Sequence, residues 1–435
     1  MVIPLKSEMV AFPRVDYSAH PAYAAIGSLS KLSDDRVERA VAEIDAAFRE
    51  LLTRTDGVTE GEEARFNTAV GTRIDELQAY VLGPSGMTGR IAEYSARAMK
   101  MARQALLDEW KFRVRSGRHR YEPVLTAAQR MNLEALKKDG VVCLDPMPEL
   151  ASRLSNKTWW ERGLLRRQAD RLPWGRCAMA IDPHSPAGSM LQTALRRSGV
   201  FELAGAYLGC RMEFLYAALD HAHERQAWYK GCYTDVGLDT SDTAYMHLDA
   251  DCDIVKAMLY LTDVKPENGA FRFVRGSHRW TRSPFLIALY KGFDCEQDAF
   301  FKRAQNKLDY EGGYYRPRFQ VVDHRQEFMC LPRSFRGSTH FGDDVIDGTP
   351  LSRQLLASEG VFTGSGGTFV LFHGAAGIHR GSQVSAGERW AIQIAFRASK
   401  EDAESSRRNV KDQLASLRYH VRRLKRILAF TSEAT

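Results

Sequence analysis

No uninterrupted apolar run in this chain approaches the roughly 20 residues that a membrane-spanning helix needs, so no transmembrane segment is expected. Met1–Lys6 is short and reaches a charge too soon to open a secretory signal. Cysteine is scarce: seven residues, an odd number with no CxxC spacing, which argues against a disulfide framework or a thiolate zinc site. A reduced, cytoplasmic protein is the expectation. Internal repeats and regular strand–helix alternation are also missing, and the second absence argues against a doubly wound parallel sheet. Zinc-finger, RNP-like and helix-turn-helix signatures are lacking too. Nucleic-acid binding would therefore rest on the formal charge of +7 alone, and no nucleic-acid partner is expected.

What is present is ordinary globular material, 44% hydrophobic and 26% charged over 435 residues, enough for two structural units or one enlarged domain. The first part, 1–122, reads as helical. Val37, Val41, Ile44, Phe48 and Leu51 form one apolar stripe, and Phe66, Val70, Ile74, Leu77 and Val81 form a second, stopped by Gly83–Gly86. A third runs from Ile91 through Met99 and Leu106 to Trp110. From about 123 to 398 the texture changes to short β-rich runs (AMLYLTDV, AFRFVRG, GTFVLFH, WAIQIAF) punctuated by Gly, Pro and Asp, which fits a sandwich or jelly roll. An insertion at about 283–360 is too long for a hairpin loop and should carry structure of its own. The tail, 399–435, predicts a basic amphipathic helix with Val410, Leu414, Leu417, Val421, Leu424 and Leu428 in four-three spacing. Such a narrow seam suits a helix partner, a second copy in a homodimer included; the alternative is peripheral contact with an anionic membrane.

The chemistry concentrates in YMHLDADCDIVKAMLYLTDV, Tyr245–Val264. His247 and Asp249 stand two apart, so on a strand they share a face; they are candidates for two ligands of a facial triad for Fe(II), the alternative being a polar strand end. A distant strand must supply the third. GTFVLFHGAAGIHRGSQVSAGERWAIQIAFR offers His373 and His379; His379 is favoured because Arg389 follows it by ten residues at the start of a β-rich run. A buried guanidinium needs an anion and matches a carboxylate bidentately. A dicarboxylate chelating the metal at one end and held by Arg389 at the other would satisfy both. His373, after an apolar strand, reads as structural, and the pair His221 and His223 reads as loop polarity.

DVKPENGAFRFVRGSHRW, Asp263–Trp280, resembles the segment after the HxD strand in the phytanoyl-CoA dioxygenase family of Fe(II)/2-oxoglutarate oxygenases, with Asn268, Gly269, Gly276, Ser277 and His278 at the motif positions. AAQRMNLEALKKDGVVCL resembles that family's entry helix and first strand, and the resemblance spans about 125–397. It implies a mainly β core, a cupin-like double-stranded β-helix or jelly roll, flanked by the helical N-terminal region and the C-terminal helix. It implies His247, Asp249 and His379 as iron ligands, Arg389 as anchor of the distal carboxylate of 2-oxoglutarate, and O2 as co-substrate, with ascorbate as reductant in vitro. Where the family commonly has a small hydroxyl residue two after the distal His, this chain has Gly381, with Ser382 one further; Ser382 is the candidate co-substrate contact. If His247 and Asp249 point inward and the register survives the intervening turn, Lys256, Met258 and Tyr260 share one face. Lys256 is then a candidate second cation for a carboxylate, the alternative being that it points to solvent, and Tyr260 a further co-substrate neighbour. Tyr245, Arg316 and Arg336 are candidates for a small, anionic substrate, and hydroxylation of a C–H is the expected reaction. A metal-dependent cupin-like isomerase or epimerase, and a non-catalytic binding protein on an oxygenase fold, are the alternatives.

Overall fold

The computed structural model describes residues 10–53, 62–84, 86–118, 121–171, 176–224, 233–238, 241–249, 251–303 and 324–399. Nine strands are described: β1 (Val141–Leu144), β2 (Arg176–Ile181), β3 (Met212–His223), β4 (Ile254–Tyr260), β5 (Phe271–Val274), β6 (Glu359–Phe362), β7 (Phe369–Phe372), β8 (His379–Gly381) and β9 (Glu388–Ala398). They form a large sheet of order β1-β7-β4-β9-β3-β2 and a small one of order β6-β5-β8. Every strand pairing is antiparallel. His247 adds one further antiparallel bridge, to His379, at the open edge of β8.

Strand alternation divides the large sheet into two faces. Val255, Ala257 and Leu259 of β4, Phe369 and Leu371 of β7, and Trp390, Ile392, Ile394 and Phe396 of β9 share one core with Leu136, Leu154, Leu191 and Leu203 of the covering helices. Met258, Tyr260, Val370, Phe372 and Ala391 turn the other way and meet Phe271, Phe273 and Phe362 of the small sheet. The two sheets thus pack face to face, and the site lies between them. The Tyr260 hydroxyl ties the sheets together, donating to the Phe362 carbonyl at 2.7 Å and accepting from the Phe271 N–H at 3.0 Å.

Before the sheets come helices whose buried faces are the ones the spacing predicts. Val37, Val41, Ile44 and Phe48 are buried on Asp34–Thr53, as are Val70, Ile74, Leu77 and Val81 further on. This second stripe lies on two α-helical stretches joined by a π-helical turn at Asn67–Gly71. Met99, Leu106 and Trp110 are buried on the 30-residue helix Gly89–Arg118. Between β5 and β6 the helix Pro284–Arg303 shares one apolar core with these helices through Phe285, Leu289 and Phe293. Helix exceeds strand among the described residues, so "mainly β" describes the sandwich and not the whole chain. The helix expected at 399–435, apart from its first residue, and the candidate Arg316 lie outside the described residues. No described helix is long and apolar enough to cross a membrane.

Candidate metal centre

His247, Asp249 and His379 offer ligand atoms that all lie within 4.8 Å of one another. The bridge between His247 and His379 brings the two distant pieces of chain together, its paired N–H···O bonds being 3.0 and 3.1 Å. Each imidazole is oriented by the backbone. Nδ1 of His247 faces the Tyr245 carbonyl at 2.9 Å, and Nδ1 of His379 faces the Gly377 carbonyl at 3.1 Å. A carbonyl can only accept, so both Nδ1 atoms carry the proton and both Nε2 atoms keep a lone pair, the tautomer a metal requires. Burial is the main reason both imidazoles titrate below the usual histidine value; for His247 the neighbours His379 and His340 add to it, whereas for His379 Asp249 opposes it. They are neutral at pH 7.

Asp249 is the counterpart. Burial alone would raise its pKa, but His379, Lys256 and His247 outweigh that and hold the carboxyl below its usual range. Lys256 points into the sandwich and donates to Asp249 Oδ1 at 2.7 Å. Burial works to lower the pKa of that ammonium, and Asp249 more than reverses it, so Lys256 stays charged. The other oxygen, Oδ2, is buried with no hydrogen-bond partner and lies 3.4 Å from His379 Nε2. One orphaned carboxylate oxygen facing two imidazole lone pairs is a donor set that fits a divalent cation with open positions. The fit is tight on one side: a β-carbon built on Gly374 would overlap Asp249 Oδ2 and stand 3.0 Å from His379 Cε1.

Around the ligands, Phe271, Phe273 and Phe372 place their ring centroids 6.0, 6.4 and 5.1 Å from that of His379. Tyr245 covers His247 at 4.5 Å. Its φ of 64° is the one positive value at a non-glycine residue among those described, a strained conformation of the kind that collects at functional sites. The Tyr245 N–H is held by Asp343 Oδ1 at 2.8 Å. His340, also from the segment between β5 and β6, stacks on His247 at 4.9 Å and 4°. No local pattern announces this neighbour, because it comes from an irregular stretch almost a hundred residues away.

Arg389 is 3% exposed. It precedes Ala391 by two and so shares the inner face of the large sheet with it. One guanidinium nitrogen, Nη1, donates to the Gly269 carbonyl, Nη2 lies 3.8 Å from Asp220 Oδ2, and Nε is buried without a partner. The anionic neighbour that the sequence did not reveal is therefore Asp220, itself 1% exposed. A carboxylate on the inner face of β3 is the signal that could have found it. The Ser382 hydroxyl is likewise buried and unpartnered.

Tyr260, Arg336 and the pair His221 and His223 are placed differently from their sequence reading, whereas His373 and His278 make structural contacts as expected. The Tyr260 hydroxyl is taken up by two backbone groups. Arg336 is spent on the carbonyls of Leu331 and Met329 and the hydroxyl of Ser28. His221 and His223 lie on β3 and not in a loop; His221 stacks on Trp390 at 3.9 Å and bonds Glu388 at 2.9 Å. His373 meets the Tyr207 hydroxyl at 3.2 Å, outside the ligand cluster, and burial pushes its pKa down to about 3. His278 Nε2 donates to the Lys137 carbonyl at 2.9 Å.

An inward-facing His-Asp-His cluster in a two-sheet sandwich has the donor set of non-haem iron enzymes. Residues 221–307 match the family model described as Phytanoyl-CoA dioxygenase (PhyH); the match takes in His247 and Asp249 and ends before His379 and Arg389. Over those 87 residues, about a fifth of the chain, it is similar to that family. Similar solved structures include AviO1 from Streptomyces viridochromogenes Tue57, 13% identical over 64% of this chain and 99% of that one with a TM-score of 0.35. HygX from Streptomyces hygroscopicus with nickel and 2-oxoglutarate bound is 16% identical over 65% and 93%, with a TM-score of 0.33. EctD from S. alaskensis with 2-oxoglutarate and 5-hydroxyectoine is 14% identical over 64% and 80%, with a TM-score of 0.34. No curated protein matches the chain.

Proposed function

We propose that the protein hydroxylates a C–H bond of a small, anionic metabolite, consuming O2 and 2-oxoglutarate and releasing succinate and CO2. His247, Asp249 and His379 hold the iron, and Arg389 anchors the distal carboxylate of the co-substrate. The observation that carries this reading is the shared orientation of the three ligand atoms, with both Nδ1 atoms occupied by carbonyls and Asp249 Oδ2 left orphaned. When bound, the iron supplies the redox chemistry.

The chain supplies geometry, charge and dryness. Lys256 occupies one oxygen of Asp249, so the carboxylate offers the other in a fixed direction. The Tyr245 and Gly377 carbonyls fix the imidazole tautomers. Phe271, Phe273 and Phe372 keep water from the His379 side, where it would compete with the substrate. Arg282 supports an anionic substrate: it borders the turn carrying Gly374, donating only to the Ala375 and Ala376 carbonyls at 3.4 and 3.2 Å, with no carboxylate within ion-pair distance among the described residues.

The test is anaerobic reconstitution with Fe(II) followed by oxygen, ascorbate and 2-oxoglutarate. Succinate should form, slowly without substrate and faster with the right anion. Asp249→Ala should bind no iron and make no succinate; undiminished turnover in that variant would remove the proposed triad. Iron bound without any response to 2-oxoglutarate would favour metal-assisted isomerisation.

A further inference from the structure

Two buried residues of opposite charge meet at the far end of the proposed co-substrate site. Asp220 pairs in register with Ala391 across β3 and β9, and Arg389 lies two residues from Ala391, so both side chains project from the same face. At 3.8 Å, Nη2 and Oδ2 are too far apart for a good hydrogen bond and close enough for a strong Coulomb interaction in so dry a place. Nη1 is engaged by the Gly269 carbonyl. A lone cation awaiting a diacid would need no such neighbour. Here the guanidinium is held on two sides, and much of its charge is already balanced.

The geometry points to Asp220 as a specificity-determining residue that acts through Arg389, setting how strongly the enzyme holds a diacid relative to a 2-oxo monoacid. This rests on the reading of Arg389 as the co-substrate anchor. An arriving distal carboxylate shares one cation with Asp220 and is repelled by it. A ligand with an alkyl end feels neither the anchor nor the repulsion. Asp220 therefore narrows the gap between the two ligand types while keeping the guanidinium aimed by its second contact. It is a positioning residue and need not touch the co-substrate.

The test compares anaerobic Fe(II) protein titrated with 2-oxoglutarate and with 2-oxopentanoate, read by metal-to-ligand charge-transfer absorption. Asp220→Asn keeps the shape and removes the charge. It should bind 2-oxoglutarate about tenfold more tightly, the scale of one nearby charge in a partly screened interior, and bind 2-oxopentanoate as the wild type does. Asp220→Ser, read the same way, serves if the amide does not fold. Equal weakening of both ligands would mean structural support alone and overturn the inference, as would no change in either. If the wild type shows no preference for the diacid and Arg389→Met leaves both affinities unchanged, the anchor reading itself fails, an outcome distinct from the other two.

Discussion

Lys256 and Asp249 form a part-buried ion pair at 2.7 Å, and the pair leaves one carboxylate oxygen directed at His379. The ammonium is thus an aiming device for a ligand. Removing it, as in Lys256→Met, takes away the group that orients the carboxylate and leaves a part-buried charge without its ammonium. Loss of such a supporting contact costs about 10- to 100-fold in metal affinity. Co(II) titration followed by visible absorption should read that loss; unchanged affinity would show that Asp249 is oriented without Lys256.

Gly374 touches the same carboxylate from the other side. Gly374→Ala places a methyl group where Asp249 Oδ2 sits, and the adjoining backbone is fixed by the Asp249 N–H bond to the Gly374 carbonyl at 3.0 Å. The carboxylate must turn away. Iron content after reconstitution should fall below detection while the far-ultraviolet circular dichroism stays that of the wild type. Full iron loading would show that the turn can yield.

The stability of the metal-free protein should depend on pH in a defined direction. His247, His373 and His379 all titrate below the ordinary value of 6.5 in the folded state, burial being the largest cause for each. Once the pH drops below that value, the unfolded chain takes up protons that the folded chain refuses. Stability is therefore fully present above about pH 6.5 and is lost as the pH falls toward the folded-state values, with a slope of up to one proton per imidazole. Urea midpoints between pH 8 and pH 5 should show a plateau and then a decline. A midpoint independent of pH would mean that these imidazoles are as accessible to protons as in the unfolded chain.

Arg389→Ala should act on two quantities at once. Affinity for 2-oxoglutarate should fall by about two orders of magnitude, as expected for loss of a charge-assisted bidentate contact. The protein should also lose stability, because the buried Asp220 carboxylate loses a cationic neighbour. Adding Asp220→Asn should recover much of the stability and none of the affinity. Recovery of both would show that Arg389 serves only to neutralise Asp220.

Much of this was legible in the sequence because it depends on period. Four-three spacing located the buried stripes of the N-terminal helices, and two-residue alternation put Lys256, Met258 and Tyr260 on one face of β4; that this face is also the one Asp249 turns to, an odd seven residues away, was decided by the turn between them. The spacing of His247 and Asp249 and the lag from His379 to Arg389 were enough to suggest a metal and a diacid. Both are short-range features, fixed by the pitch of a helix or the pleat of a strand.

What depended on which strands become neighbours was not legible. Asp220 reaches Arg389 only because β3 lies beside β9, and His340 reaches His247 only because an irregular segment folds back over the site. Tyr260 and Arg336 looked like site residues until backbone carbonyls, invisible in a string of side chains, claimed their donors. Local pattern determined which chemistry this chain carries. Long-range pairing alone decided which polar groups remain uncommitted, because a hydrogen bond already made to the backbone is one that a ligand no longer receives.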